Sequence, residues 1–284
     1  MRWFGRSRDV ERDHSGWIGD AAWHALVARH AYLDRLDDDE RRDLRALCGA
    51  FVAGKAFSGA GGLAVSSDMI GTIAVQACLP ILRLGLAAYP SFEEIVVYPD
   101  DFIVEREIVD GDGVVHAWRE PVAGESWEHG PVVLAWSAAD RADAAGRPSP
   151  FAFNVVIHEF AHKLDMTNGA VDGTPAFSRT LHSGMGADRA ARWAAVLADS
   201  FDDFCARVEA VERSIPRHVD PDSARADRYF AALPVDAYAA TDEGEFFSVT
   251  SEAFFVTPAP LRAAYPDWYA ALAGYYLQDP LASR

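Results

Sequence analysis

The sequence predicts an α+β fold: a small mixed sheet set between helical N- and C-terminal regions. Three observations carry this. Apolar residues recur at helical spacing over residues 17–56 and again from residue 176 onward. Between residues 94 and 137 the pattern changes to short β-branched runs bounded by turn residues. Between these regions, Asn154 to Asp165 has apolar residues around most of a helical circumference yet carries two histidines and a glutamate.

In chain order, Trp23, Leu26, Val27, His30, Leu33 and Leu36 outline a first helix, and Leu44, Leu47, Phe51 and Val52 a second. The charge run Asp37 to Arg45 between them is a solvated turn and helix start. Ser58-Gly59-Ala60-Gly61-Gly62 lacks the G-K-[S/T] ending of a phosphate loop and reads as a flexible connection. Met69 to Tyr89 is long and apolar, but Gln76, Pro80 and Arg83 interrupt it. A buried helix broken near Pro80 is therefore expected, not a membrane span. Glu94 to Tyr98 and Phe102 to Glu107 read as strands. Asp110 to Gly113 is a turn, Val114 to Arg119 a returning strand, and Pro131 to Ser137 another. Helices follow at about 187–213 and 241–256, with a last one around Pro266 to Leu277. No repeat or clean linker divides the chain; residues 1–90 form a helical N-terminal region and 91–284 the remainder of one compact unit.

His158-Glu159-Phe160-Ala161-His162 reads H-E-x-x-H. Residues four apart on a helix stand one above the other, so both imidazoles can hold one Zn²⁺, and Glu159 is placed to act as general base toward a water. A bare five-residue match is weak. Its setting strengthens it, because Val155, Val156, Ile157, Phe160, Ala161 and Leu164 bury the helix, and unpaired polar groups are costly there. Ser149-Pro150 is expected to start the helix and Asn168-Gly169 to stop it. Asp165 lies on the ligand face, either as an acceptor that orients an imidazole or as a solvated C-terminal acid.

A catalytic zinc takes a third protein ligand. No histidine follows His162 closely, and His182 and His218 lie in polar, loop-like surroundings. The stretch Asp236 to Phe255 is a better source. Thr241 or Asp242 can cap a helix rich in Phe246, Phe247, Val249, Phe254 and Phe255, on which Glu245 and Glu252 share a face after two turns. Glu245 is the expected third ligand, with Glu252 supporting a ligand or standing as an alternative to Glu245.

Together H-E-F-A-H-K-L-D-M-x-N-G and D-A-Y-A-A-x-D-x-x-E-x-F-x-V-x-S-E-x-F-F resemble the Mlc titration factor A family of bacterial zinc peptidases, over most of the chain. That resemblance implies a zincin-like metallopeptidase core related to the catalytic domain of anthrax lethal factor. By position it implies His158, His162 and Glu245 as zinc ligands, Glu159 as general base, and Tyr238 as donor to the developing oxyanion. The segment Gly184 to Pro234 is longer than the family pattern leads one to expect, so it is a candidate to reshape the cleft.

The formal charge of −17 argues against nucleic acid and against an anionic membrane surface as partner. Arg2, Arg6, Arg8 and Arg12 precede no apolar run, so they read as a solvated tail. Cys48, Cys78 and Cys205 form no paired pattern, which points to reduced thiols in a cytoplasmic protein. The expected activity is hydrolysis of a peptide or protein substrate lying along an edge strand, with Val132 to Ser137 as the candidate edge. The resemblance also implies a different role, sequestering a transcriptional repressor of the Mlc type, with the zinc site structural or weakly catalytic. Hydrolysis of small amides or esters would use the same groups in a different cleft.

Overall fold

The computed structural model describes residues 17–90, 92–109, 115–126, 130–140, 151–186, 188–220, 223 and 225–282. The basic N-terminal cluster, the Asp110–Gly113 turn and the Ser149-Pro150 pair lie outside the described residues. The helical start of the chain forms α1 (Asp20–Ala28) and α2 (Asp38–Ala53). Asp37 caps α2 by accepting the Glu40 N–H at 2.8 Å, and the Glu40 carboxylate returns the bond to the Asp37 N–H at 3.0 Å. The acidic run is thus a reciprocal helix cap.

Strand β1 (Ala56–Gly59) follows and takes in Ser58 and Gly59 of the expected connection, whose remaining residues turn away from it. Its residues show no apolar alternation, because an edge strand is held by backbone bonds more than by its side chains. Gly59 is required there: a Cβ would fall 1.9 Å from the Leu63 carbonyl oxygen. The apolar stretch after it forms α3 (Ser67–Cys78), which ends before Pro80. Arg83 pairs with Glu40 at 2.7 Å, and Gln76 Nε2 donates to the Thr72 carbonyl at 2.9 Å. Among the described residues no helix is long and apolar enough to cross a membrane.

Strands β2 (Glu94–Tyr98), β3 (Phe102–Val109), β4 (Val115–Val122), β5 (Gly124–Ser126) and β6 (Val132–Ala135) come next. One sheet has the order β1-β2-β6-β5, with β1, β2 and β6 parallel and β5 antiparallel to β6. β3 and β4 form a separate antiparallel ribbon in register from Phe102↔Val122 to Val109↔Val115. The expected edge is corrected here: β6 lies between β2 and β5, and the three-residue β5 is the edge. Gly-Glu-Ser carries no hydrophobic pattern, so nothing in its composition marks it as a strand. Trp136 and Ser137, expected to extend β6, belong to the short helix α4 (Trp136–Ala139).

The rest is helical: α5 (Val155–Asp165), α6 (Arg189–Ser214), α7 (Asp227–Phe230), α8 (Glu243–Val256), α9 (Pro258–Ala264) and α10 (Pro266–Tyr276). A single apolar cluster runs from Trp23 to Tyr276 and includes both Ile95 and Val97 of β2 and Val132 and Leu134 of β6. β1, drawn from the first ninety residues, thus shares a sheet with strands from the later part of the chain. The position that matters for function is that of α5, which has β5 on one side and α8 on another.

Candidate metal centre

Helix α5 begins at Val155, with Asn154 as its cap rather than the Ser149-Pro150 start. The Asn154 side-chain oxygen accepts the Ile157 N–H at 2.9 Å. Ten of its residues are buried and only His158 is partly open. Phe160 locks the back of the helix, its ring edge-on to Phe51, Tyr89 and Phe92 at centroid distances of 5.7, 5.1 and 6.0 Å. Gly169, at φ +92°, ends the turn that follows, as the Asn168-Gly169 pair predicts.

Helix α8 starts at the Asp242 cap, whose carboxylate accepts the Glu245 N–H at 2.9 Å. Glu245 therefore sits in the first turn and Glu252 two turns on, both facing α5. His158 Nε2 lies 3.1 Å from His162 Nε2 and 3.1 Å from Glu245 Oε2, and His162 Nε2 lies 3.4 Å from the same oxygen. A tetrahedral metal with bonds of about 2.0–2.1 Å spaces its ligand atoms about 3.3–3.4 Å apart, so this triangle has the size of one face of such a site.

The proton arrangement points the same way. His158 Nδ1 meets Glu252 Oε1 at 2.8 Å. That contact places the imidazole proton on Nδ1 and turns the Nε2 lone pair toward the triangle. Two imidazole nitrogens and a carboxylate oxygen then converge on one point, an arrangement of ligand atoms that suits a cation. Without a metal, the same contacts form an ion pair. Burial works against charge on His158, yet Glu245 and Glu252 outweigh it and raise the imidazole well above its ordinary value. Burial would likewise raise Glu245, but His158 and His162 hold it well below the usual carboxylate range. The donor set fits a zinc ion.

Glu159 is buried beside the triangle and points toward Gly124 on β5. Burial raises its carboxyl above the usual range, against the pull of both histidines. Tyr238, half exposed, brings its ring centroid to 6.2 Å from that of His158 and donates its hydroxyl to Glu245 Oε1 at 3.3 Å. Asp236, on the approach to α8, fixes the turn by accepting the Tyr238 N–H at 2.9 Å. All five expected site residues therefore line one cleft of about 510 Å³, with Val122 to Ser126 along one wall.

Glu252 backs His158 and also accepts the Asn154 N–H at 2.5 Å, so α8 is tied to the start of α5. Asp165 does not orient an imidazole. Its Oδ2 accepts the Gly173 N–H at 2.8 Å, and burial pushes its carboxyl up to about 7. His182 lies in a turn, as expected, but in buried aromatic rather than polar surroundings, stacked on Tyr275 and bonded to the Tyr275 carbonyl at 2.8 Å. No described residue from 184 to 234 lines the cleft; most of that segment is α6. The sequence reading missed Gly124, Ser126 and the Asn154 cap. Only the Asn154 cap carried a usable signal, an Asn directly ahead of the apolar run.

The family model described as glucose-regulated metallo-peptidase M90 matches residues 1–277. A Mlc titration factor A of Serratia proteamaculans (strain 568) is 35% identical over 264 residues, covering 92% of this chain and 88% of that protein. The Mlc titration factor A of Cronobacter sakazakii (strain ATCC BAA-894) is 32% identical over 271 residues, covering 95% and 90%. That of Salmonella arizonae (strain ATCC BAA-731 / CDC346-86 / RSK2980) is 31% identical over 282 residues, covering 99% and 98%.

Proposed function

Because the chain belongs to the glucose-regulated metallo-peptidase M90 family, we propose that it is a zinc-dependent peptidase whose metal is held by His158, His162 and Glu245. The observation that carries the reading is the convergence of those three ligand atoms within 4.8 Å of one another, with the buried Glu159 beside them. When bound, zinc would supply an electrophilic centre that acidifies water toward a pKa of about 7 and polarises the scissile carbonyl.

The chain's own groups do the remaining work. Glu159 takes a proton from the attacking water and later gives it to the leaving amine. Burial favours this, since a raised carboxyl is a stronger base than an exposed one. The Tyr238 hydroxyl, next to Glu245, donates to the oxyanion as it develops. Glu252 holds the His158 ring in its ligating orientation.

The substrate backbone pairs with β5. Ala135 donates its N–H to the Ala123 carbonyl at 2.7 Å, so residue 123 faces β6. In an antiparallel ladder the alternate residues face the other way, which directs the N–H and C=O of Gly124 and Ser126 outward toward the cleft.

The test is Glu159→Gln. This variant keeps its zinc, and its cleavage of oxidised insulin B chain falls by about 10²–10⁴-fold, the usual contribution of a general base. Cleavage at the parental rate would sink the assignment.

The printed name of the relatives supports a second reading, capture of a repressor of the Mlc type. A formal charge of −17 suits a basic partner face. Binding of such a repressor that survives Glu159→Gln, with no turnover by either form, would favour it. A cytoplasmic location, consistent with the free thiols Cys48, Cys78 and Cys205, belongs to both readings.

A further inference from the structure

We propose that Gly124 is a positioning residue that fixes the distance between the peptide-binding edge and the general base; the inference rests on the peptidase reading above. A Cβ built on Gly124 would lie 2.5 Å from Glu159 Oε1, 2.7 Å from Glu159 Cγ and 2.8 Å from Val155 Cγ2. No real side chain tolerates such contacts, and two of the three atoms are not the free end of a flexible group. Backbone strain is not the reason for glycine here, since Gly124 is not among the positive-φ residues. Its role is close approach: only a residue without a side chain lets the edge strand lie directly on the Glu159 carboxylate.

A second contact holds the same hairpin from its other end. Lys163, fully buried on α5, donates Nζ to the Gly130 carbonyl at 3.0 Å, just ahead of β6. A buried ammonium held against a backbone oxygen fixes position more firmly than an apolar contact would. The β5–β6 hairpin is therefore set on the active-site helix at two points, and its free edge and the Glu159 carboxylate keep one spacing. A peptide paired to Gly124 and Ser126 then presents its scissile carbonyl at a fixed distance from the base.

Gly124→Ala tests this. Relieving the clash requires a shift on the order of an ångström, which near reacting groups costs about 100-fold in rate. With oxidised insulin B chain as probe, kcat is expected to fall by about that factor, more than KM changes, with zinc content preserved and the melting temperature lowered by the overpacked contact. A crystal structure of the variant, which needs no substrate, should show Glu159 or β5 displaced from its parental place. Parental kcat and KM, or an unshifted Glu159 and β5, would overturn the inference. If Gly124→Ala does not fold, Lys163→Met carries the same test, with a smaller loss of kcat and the hairpin moved off α5; no movement would overturn it. Should the zinc-loaded parent itself fail to cleave the probe, the peptidase reading fails, while the variant structures still decide the contact.

Discussion

Helices α8 and α6 carry similar proportions of polar side chains and use them in opposite ways. On α6 the acids and arginines face water and pair along the helix, as in Arg207–Asp203 and Arg213–Glu209 at i,i+4 spacing. Its buried face is a narrow row of Trp193, Leu197, Ser200, Phe204 and Val208. On α8 every residue from Gly244 to Phe255 but Glu245 is buried, and apart from the Ser248 hydroxyl its polar side chains have specific partners. Thr250 and Ser251 find carbonyls one turn back at 2.6 and 2.7 Å, and Thr250 also accepts the Trp268 indole N–H at 2.9 Å. Glu245 and Glu252 find the histidines of α5. A carboxylate on a solvated face costs nothing and says little. One on a buried helix persists only where its partners are specific, so it marks a site.

Substitutions can break that contrast in graded steps. The largest effect is expected for Glu245→Ala, which removes one of three ligand atoms: stoichiometric zinc binding, read by metal analysis after dialysis, is lost, and with it hydrolysis. A variant that keeps one tightly held zinc would mean that another group, with Glu252 the first suspect, is the true third ligand.

Glu252→Gln should act less severely, because its contact is with His158 and it would reach a metal only through that ring. Support groups of this kind change metal affinity by about 10–100-fold, measurable by competition with a chelator dye. Affinity equal to the parent's would show that the His158–Glu252 contact orients nothing.

Asp165→Asn probes a buried acid on α5 that binds no ligand. The folded-state pKa of about 7 lies above the ordinary 3.8, so the folded protein holds this proton more tightly than the unfolded chain. Its contribution is complete below the ordinary value and is lost as pH rises through about 7. In metal-free protein, the melting temperature of the parent should therefore fall more between pH 5 and pH 8 than that of Asp165→Asn. Parallel pH profiles would contradict it.

At the other end, Glu209→Ala on α6 should change stability by no more than about 0.5 kcal/mol, since its partner Arg213 is well exposed. Urea unfolding reads this directly. A loss several times larger would mean that α6 is more than a solvated cover.

Much of the site was legible because it is periodic and local. The spacing of His158 and His162, and of Glu245 and Glu252, follows from the pitch of a helix and needs no tertiary information. The apolar surroundings of both helices implied burial, and burial made the polar residues conspicuous. The edge strand was misplaced for the opposite reason. Val132 to Ala135 is strand-like by composition and lies inside the sheet, while Gly124 to Ser126 has no pattern and forms its edge. β1 escaped notice on the same grounds. Short strands at a sheet edge are held by backbone bonds, and those leave little trace in side-chain chemistry.

The sequence by itself determined the α+β class, the two helices that carry the histidines and the glutamates, and the set of groups proposed to bind a metal and move a proton. These follow from residue type and helical spacing, which are properties of adjacent turns. The tertiary structure alone decided that Glu252 backs His158, that Asp165 serves Gly173 and not an imidazole, and that Gly124 lies against Glu159. Each of those pairings joins different elements, and which atoms meet across such a contact is set by packing, which no local pattern encodes.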